Sequence, residues 1–320
     1  MTTANGPAPV LVIGHQGQVA CALRRLAPSR LPGRPLIAVG RPTLDLSTPV
    51  EDLAQQLDAL VGEHSPALVI NAAAYTQVDR AESEAALAHA VNARAVGVLA
   101  RVCATHAIPL IHLSTDYVFD GSGEVPWRED DPTGPLGVYG ASKLAGEQAL
   151  REAGGRHLLL RVSWVFGQEG ANFVRTMLRL GRERSALSIV ADQIGGPTSA
   201  EAIATTLLDL LELAITDRSP LNAAASFPWG TYHLAGVPAV SWYGFATEIF
   251  AQAVRVGLLE RAPELTPIST SAYPTPAERP ANSRLDGSAF LRDFGCPMPD
   301  WRRDLHSCLQ AWASSTTTTA

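Results

Sequence analysis

Lysine is almost absent from this chain. Of its 25 basic residues, all but Lys143 are arginine. Where any positive charge would serve, arginine stands, so the retained lysine marks a place that needs a compact ammonium on a flexible stem. Cysteine is scarce too. Cys21, Cys103, Cys296 and Cys308 show no CxxC spacing, which excludes a zinc-ligand set or a disulfide framework and reads as free thiols in a reducing compartment. The eight histidines have no ligand spacing either, so no metal site is expected. Surplus positive charge is missing. A net charge of −6 argues against nucleic acid as a partner, and an anionic ligand must find a local basic pocket. The start, Met1-Thr-Thr-Ala-Asn-Gly-Pro7, lacks a basic-then-apolar leader, and no apolar run is expected to span a membrane. With 46% hydrophobic and 18% charged residues, the chain reads as a cytoplasmic, enzyme-like globular protein.

What is present begins with a strand, a glycine turn and a helix. Pro9 to Ile13 is apolar, then come Gly14-His-Gln16-Gly17-Gln18-Val19-Ala20 and a helical pattern from Cys21 to Leu26. Gly14 permits the tight turn, Gly17 lets backbone approach a pyrophosphate, and Ala20 permits close helix packing. The turn, with Gln16, Gln18 and Val19, is therefore a candidate dinucleotide cradle at a helix N-terminus. A second strand, Pro35 to Val39, ends in Gly40-Arg41, and no acid follows until Asp45. An arginine here suits a 2′-phosphate, whereas an acid would suit a free ribose hydroxyl, so NADPH is expected over NADH. Asp45 and Leu46 are counted with this pocket. The bland alternative for Arg41 is a solvated turn residue.

A helix from Val50 to Val61 leads to a third strand, Ala67 to Ile70. Asn71-Ala72-Ala73-Ala74-Tyr75 then supplies the small residues that leave room for a dinucleotide at a sheet crevice. A long helix from Glu84 to His106 carries Asn92, assigned to the same pocket. The fourth strand, Pro109 to Leu113, runs into Ser114-Thr115-Asp116-Tyr117, where α/β folds place their chemistry. The loop from Ser122 to Gly137 is positioned to cover a ligand. The next helix bears Tyr139 and Lys143, four residues apart and so on one face, with Gly146 allowing close packing. A strand follows at His157 to Val162.

Regular alternation fades after Phe166. The expected fold is α/β: a Rossmann-type doubly wound parallel sheet in residues 1–167, and a smaller C-terminal α/β substrate-binding domain in 168–320. Helices are expected at Ala171 to Leu180, Ala200 to Leu213 and Trp242 to Val256. Strands at Leu187 to Ala191 and Thr231 to Leu234 are expected to return to the main sheet. Ser314 to Ala320 is expected to be a frayed tail.

The Tyr139–Lys143 pair suits hydride addition to a ketone. Charge develops on the carbonyl oxygen, so the site needs an acid and donors aimed there. A phenol is a poor acid until a neighbouring ammonium stabilises its anion. Lys143 has donors to spare for ribose hydroxyls, and Thr115 can donate to the same ketone oxygen.

Longer motifs then carry a resemblance. They are Gly14-x-x-Gly17-Gln-Val19, Asn71-Ala-Ala-Ala-Tyr-Thr-x-Val-Asp-x-Ala-Glu82, Ser114-Thr-Asp-Tyr-Val-Phe119, Tyr139-Gly-x-Ser-Lys-Leu-x-Gly-Glu147, Ser163-Trp-Val165, Asp192-Gln-x-Gly-x-Pro-Thr198 and Tyr273-Pro-Thr-Pro-Ala-x-Arg-Pro-x-Asn-Ser-Arg-Leu285. Nearly end to end, the chain resembles the extended short-chain dehydrogenase/reductases and, among them, the dTDP-4-dehydrorhamnose reductase family. The resemblance implies reduction of the 4-keto group of dTDP-4-dehydro-L-rhamnose by NADPH, or NADH in some members, in dTDP-rhamnose and hence surface-polysaccharide biosynthesis. It implies Thr115, Tyr139 and Lys143 as the catalytic group. Thr76, Val78, Asp116, Tyr117 and Trp164 would lie on the sugar side, and Gln193, Pro197, Thr198, Arg279 and Asn282 toward the nucleotide. Some members form dimers in which glutamates hold magnesium. The counterparts here fall near Ala22 and Arg302, so a magnesium site is not expected and a monomer or weak homodimer is. Two alternatives stay open: a related dTDP-4-keto-6-deoxyhexose as substrate, or a non-catalytic NADP-binding regulatory subunit.

Overall fold

The computed structural model describes residues 6–222 and 224–317. Its first half alternates strand and helix. In order they are β1 (Val10–Ile13), α1 (Gln18–Arg30), β2 (Leu36–Val39), α2 (Val50–His64), β3 (Leu68–Asn71), α3 (Val78–Ala81), α4 (Ala85–His89), α5 (Ala95–Thr105), β4 (Leu110–Thr115), α6 (Val138–Glu152) and β5 (His157–Val162). All four residues of β1 are buried, as a strand covered on both faces requires. Alternation then sorts them. Val10 and Val12 enter a core shared with α1, while Leu11 and Ile13 enter the opposite core with α2 and α5.

A one-turn π-helix, Ala90–Arg94, separates α4 from α5. The combined helical run Ala85–Thr105 is long and apolar enough to cross a membrane, contrary to the expectation that no segment would be. It is a core element: 61% of its apolar window is buried, with Ala95, Val96, Val98 and Leu99 facing α2 and the sheet.

The second half runs β6 (Val165–Phe166), α7 (Phe173–Glu183), β7 (Ala186–Val190), β8 (Ile194–Gly195), β9 (Thr198–Ser199), α8 (Ala200–Ile215), β10 (Gly230–His233), β11 (Val240–Ser241), α9 (Trp242–Arg255), β12 (Glu264–Ile268), β13 (Asn282–Ser283), α10 (Ser288–Phe294) and α11 (Trp301–Thr317). The six-stranded parallel sheet has the order β10-β5-β4-β3-β1-β2. Strand order reverses at β1, so a crevice opens outside the carboxyl ends of β1 and β3, where such folds bind ligands.

One expected strand does join this sheet and another does not. β10 pairs with β5 at the edge. β7 instead pairs in parallel with β12 as a separate two-stranded sheet. The reason lies in its pattern: Leu187 and Ile189 are buried, whereas Ala186 and Ser188 are exposed. That alternation suits a half-buried strand, not a sheet interior. Its apolar side faces a third core built from α7, α9 and α11.

The halves also share a core. α8 lies across α1 and buries Ile203, Ala204, Leu207, Leu208 and Leu211 beneath the main sheet. Each such leucine contributes about 1.5–3 kcal/mol of transfer free energy. At the C-terminus, residues 314–317 belong to α11 rather than to a frayed tail, and the rest of that expected tail lies outside the described residues.

Candidate active site

α6 is pressed close to its neighbours because it carries glycine at two contact points. A Cβ on Gly140 would fall 2.2 Å from the Tyr117 carbonyl oxygen, and one on Gly146 would fall 2.0 Å from that of Asn92. The Val138 N–H at the start of α6 donates to Glu82 Oε1 at 2.9 Å. So seated, α6 brings Tyr139 and Lys143 to the carboxyl end of β4.

Lys143 is buried, and its Nζ donates to the Leu113 carbonyl at 2.7 Å. Burial pushes its ammonium down to about 8, with Glu147 pulling the other way. Tyr139 stands edge-on to Tyr117, ring centroids 5.5 Å apart. Burial pushes its phenol up, the Thr115 hydroxyl lowers it, and Asp116 and Tyr117 raise it. The expected help from an adjacent ammonium is thus arranged differently here. Lys143 is turned to a main-chain carbonyl, and Thr115 eases the phenol.

Thr115 ends β4; its Oγ1 donates to Asp116 Oδ1 at 3.0 Å and accepts from Tyr117 N at 3.3 Å. Asp116 is only 2% exposed, and burial raises its carboxyl to about 6, opposed by Ser283 and Thr115. Asp116 Oδ2 and Ser283 Oγ are both buried, and among the described residues neither makes a hydrogen bond. Burial likewise brings Tyr117 up to about 12.

The glycine turn has the expected form. Gly14 sits at φ +119°, and a Cβ there would fall 3.2 Å from Ala72 C and Ala73 N. Gly17 precedes α1 with no side-chain cap on the helix, so the first-turn N–H groups stand free of side-chain acceptors. Gln16 and Gly17 are exposed at this mouth, while Val19 is buried in the core. Gln18 is spent on the protein: Nε2 donates to the Val165 carbonyl at 3.3 Å and Oε1 accepts from Asn172 at 3.0 Å. Arg41 is exposed just past β2. Asp45 is engaged locally, accepting from Ser47 N and Oγ at 2.9 and 2.7 Å, and Leu46 packs in the core beside α2.

At β3, Asn71 Oδ1 accepts from Ala73 N at 3.1 Å, shaping the half-buried run Ala72-Ala73-Ala74. Asn92, on the π-turn, accepts from Tyr75 N at 2.8 Å and donates to Tyr75 O and Ser142 Oγ, both at 3.0 Å. Its amide is committed to holding the β3 loop against α6. Single π-turns recur at functional sites for this kind of repositioning.

Among the sugar- and nucleotide-side candidates, the structure separates groups free for a ligand from groups already used. Thr76 is exposed and Val78 opens α3. Arg279 Nη2 meets Asp79 Oδ2 at 2.7 Å beside the Tyr117 hydroxyl, 3.5 Å from Nη1. Pro197 is buried, and the Thr198 hydroxyl is internal, donating to Gly196 O at 2.9 Å and accepting from Gly236 N at 3.0 Å. Asn282 is also internal; its amide donates to the Ser122 and Val125 carbonyls at 3.3 and 2.8 Å and accepts from Arg284 N at 3.2 Å. Thr198 and Asn282 thus spend these hydrogen bonds inside the protein. Gln193 uses both ends of its amide, with Trp242 and with Thr270. Trp164 follows β5 and stacks on Trp242.

The family model described as the RmlD substrate binding domain matches residues 8–314. A dTDP-4-dehydrorhamnose reductase of Salmonella typhimurium is 39% identical over 308 residues, covering 96% of this chain and 99% of the relative. One from Burkholderia thailandensis is 46% identical over 258 residues, covering 80% and 85%. The chain belongs to the dTDP-4-dehydrorhamnose reductase family. Its fold agrees. A Bacillus anthracis dTDP-4-dehydrorhamnose reductase solved with NADP superposes with a TM-score of 0.81 at 32% identity, covering 94% of this chain and 98% of that one. One from Clostridium acetobutylicum gives 0.82 at 29%, covering 95% and 99%.

Several residues in these dTDP-4-dehydrorhamnose reductase motifs had no role from sequence reading and acquire one here. Asp79 holds Arg279 and also accepts from Ala277 N at 3.3 Å. Glu82 takes the first N–H of the helix that carries Tyr139. Glu147 and Arg161 form a buried pair behind Lys143. A charge inside the otherwise apolar strand His157-Leu-Leu-Leu-Arg161-Val162 was the available signal for Arg161, since an arginine is buried only with a partner.

Proposed function

We propose that this protein reduces the 4-keto group of dTDP-4-dehydro-L-rhamnose to dTDP-L-rhamnose with NADPH. The observation that carries the reading is the meeting of Thr115, Tyr139 and Lys143 at the carboxyl end of β4, in a chain of this family. The residues present fit the cofactor. The N-terminus of α1 lacks a side-chain cap, and glycine stands at 14 and 17 where a pyrophosphate needs close backbone. Arg41 is exposed at the end of β2, suited to a 2′-phosphate. Lys143 commits one of its three N–H groups to Leu113, leaving donors for ribose hydroxyls.

NADPH, when bound, supplies the hydride. The chain's own part is to manage the charge that appears on the ketone oxygen. Tyr139 gives its proton to that oxygen. Thr115 turns its single O–H from Asp116 to the same oxygen. The buried Lys143 ammonium adds positive potential and favours the ionised phenol. Arg279, oriented by Asp79, meets the anionic nucleotide portion. Residues 1–167 serve mainly the cofactor and 168–320 mainly the nucleotide sugar. Magnesium plays no part in this proposal, because Ala22 and Arg302 offer no oxygen ligand.

The test is loss of NADPH absorbance when purified protein meets enzymatically prepared dTDP-4-dehydro-L-rhamnose. Turnover with dTDP-L-rhamnose as product supports the reading. Tight NADPH binding without turnover of this sugar rejects it.

A further inference from the structure

Trp164 lies in the left-handed region at φ +47°, where a bulky residue is strained. Such a conformation persists only when its surroundings over-determine it. Trp242, the first residue of α9, stacks on the Trp164 ring with centroids 3.5 Å apart and planes 10° apart. Gly195 closes another approach: a Cβ there would fall 2.6 Å from Cε2 and 2.9 Å from Nε1 of the indole. The Trp164 carbonyl accepts from Thr198 N at 3.2 Å.

Trp242 is itself fixed. Its Nε1 donates to Gln193 Oε1 at 3.1 Å, and Gln193 Nε2 donates to Thr270 Oγ1, also at 3.1 Å. Phe173 packs against it with centroids 4.6 Å apart. A chain of contacts thus runs from Thr270 through Gln193 and Trp242 to Trp164.

The indole nitrogens set Trp164 apart. Trp127, Trp229, Trp242, Trp301 and Trp312 each donate Nε1–H to a protein oxygen. Among the described residues, Trp164 Nε1 has no acceptor. Half-buried indoles normally find a partner for this group. Here a strained, doubly held ring keeps its donor unspent beside the carboxyl ends of the main strands.

We propose that Trp242 is a positioning residue that locks Trp164 so that its indole N–H donates to an oxygen of the bound nucleotide sugar. This rests on the reading of the protein as a nucleotide-sugar reductase. Without the Trp242 ring, the strained Trp164 would relax and the donor would lose its aim.

The test is a double-mutant cycle on the full-length protein, read by steady-state kinetics with dTDP-4-dehydro-L-rhamnose. Trp242→Ala is expected to raise KM roughly tenfold with kcat changed less than about threefold, the signature of lost binding to a neutral hydrogen-bond donor. Trp242→Phe, which keeps a stacking ring, recovers most of that loss, and NADPH affinity stays put. Trp164→Phe, which deletes the donor, costs a similar factor, and the double variant costs no more than either single one. Additive penalties, an unchanged KM in Trp242→Ala, or NADPH affinity moving with KM would each overturn the proposal. If Trp242→Ala does not fold by circular dichroism, Gly195→Ala takes its place in the cycle with the same expectation. A wild type inactive on this keto sugar rejects the functional reading instead. The cycle is then read from calorimetric affinity for dTDP-L-rhamnose, and absence of that affinity overturns both.

Discussion

Glu147 and Arg161 meet in a fully enclosed ion pair, Nε to Oε1 at 2.9 Å and Nη2 to Oε2 at 2.8 Å. Their side chains are 0% and 2% exposed. Glu147 lies one turn beyond Lys143 on α6, and Arg161 lies on β5. Ser114, beside Thr115, donates to Glu147 Oε1 at 2.6 Å. Arg161 Nη1 reaches the Glu129 carbonyl and His233 Nε2, both at 3.3 Å. The covering loop is tied down on the same side. Trp127 stacks on Phe119 at 4.7 Å, and its carbonyl lies 3.0 Å from His233 Nδ1. One buried pair therefore joins the helix that carries Tyr139 and Lys143, two central strands, the edge strand and the loop from Ser122 to Gly137.

Removing one partner leaves the other charge buried and unmatched. Glu147→Gln or Arg161→Met should lower stability by about 3–5 kcal/mol, measured by urea unfolding, and the double variant should lose less than the two single losses added together. Burial alone would raise the Glu147 carboxyl, but Arg161, Ser114 and Arg151 hold it below the ordinary range. Its contribution is therefore present above the unfolded pKa and lost as pH falls through the folded one. Wild-type stability should fall on acidification more steeply than that of Glu147→Gln.

Tyr139→Phe should reduce the rate of ketone reduction by on the order of 10²–10⁴ while leaving NADPH affinity intact. Stopped-flow NADPH oxidation and calorimetry separate the two effects, and a retained rate would remove Tyr139 from the chemistry.

The Lys143 ammonium, brought down to about 8 chiefly by burial, predicts an alkaline limb. kcat/KM should decline as pH rises through about 8, because the free enzyme then loses the positive charge beside Tyr139. Lys143→Arg, which stays ionised, should lack that limb at whatever activity it retains.

Asp116 titrates the other way. Its carboxyl is raised from 3.8 to about 6, mainly by burial. The folded state thus holds this proton more tightly than the unfolded chain. That stabilisation is fully present below about pH 4 and lost as pH rises through about 6. Asp116→Asn should match the wild type below pH 4 and exceed it above pH 6 by up to about 3 kcal/mol, seen in unfolding curves across that range.

In the proposed function Arg41 sets the cofactor preference. Arg41→Ala should lower the NADPH-to-NADH ratio of kcat/KM by roughly tenfold or more, since one charge-assisted contact to a 2′-phosphate is lost. An unchanged ratio would return Arg41 to the status of a solvated turn residue.

Some of this was open to reading without coordinates. Runs such as Val10 to Ile13 and Leu158 to Val162 are continuously apolar because both faces of a parallel strand are covered, and that local pattern specifies a doubly wound sheet. A lone lysine four residues after a tyrosine, on a helix, puts both side chains on one face. Both signals depend only on near neighbours in the chain.

The rest depends on partners far apart in sequence. Asp79 meets Arg279 across 200 positions, and Glu82 meets Val138 across 56. No local period records which polar group will be satisfied by which. Hence Thr198 and Asn282 turned out to spend their hydrogen bonds inside the protein, while Trp164 keeps its indole N–H unspent. β7 left the main sheet because its alternating residues found a separate core, and Lys143 turned to a carbonyl that only the packing of α6 on β4 brings near. Local periodicity determined the class of fold and the helix face that Tyr139 and Lys143 share. Tertiary packing decided which donors and acceptors remain available to a ligand, because a buried polar group must be satisfied by whatever the fold places beside it.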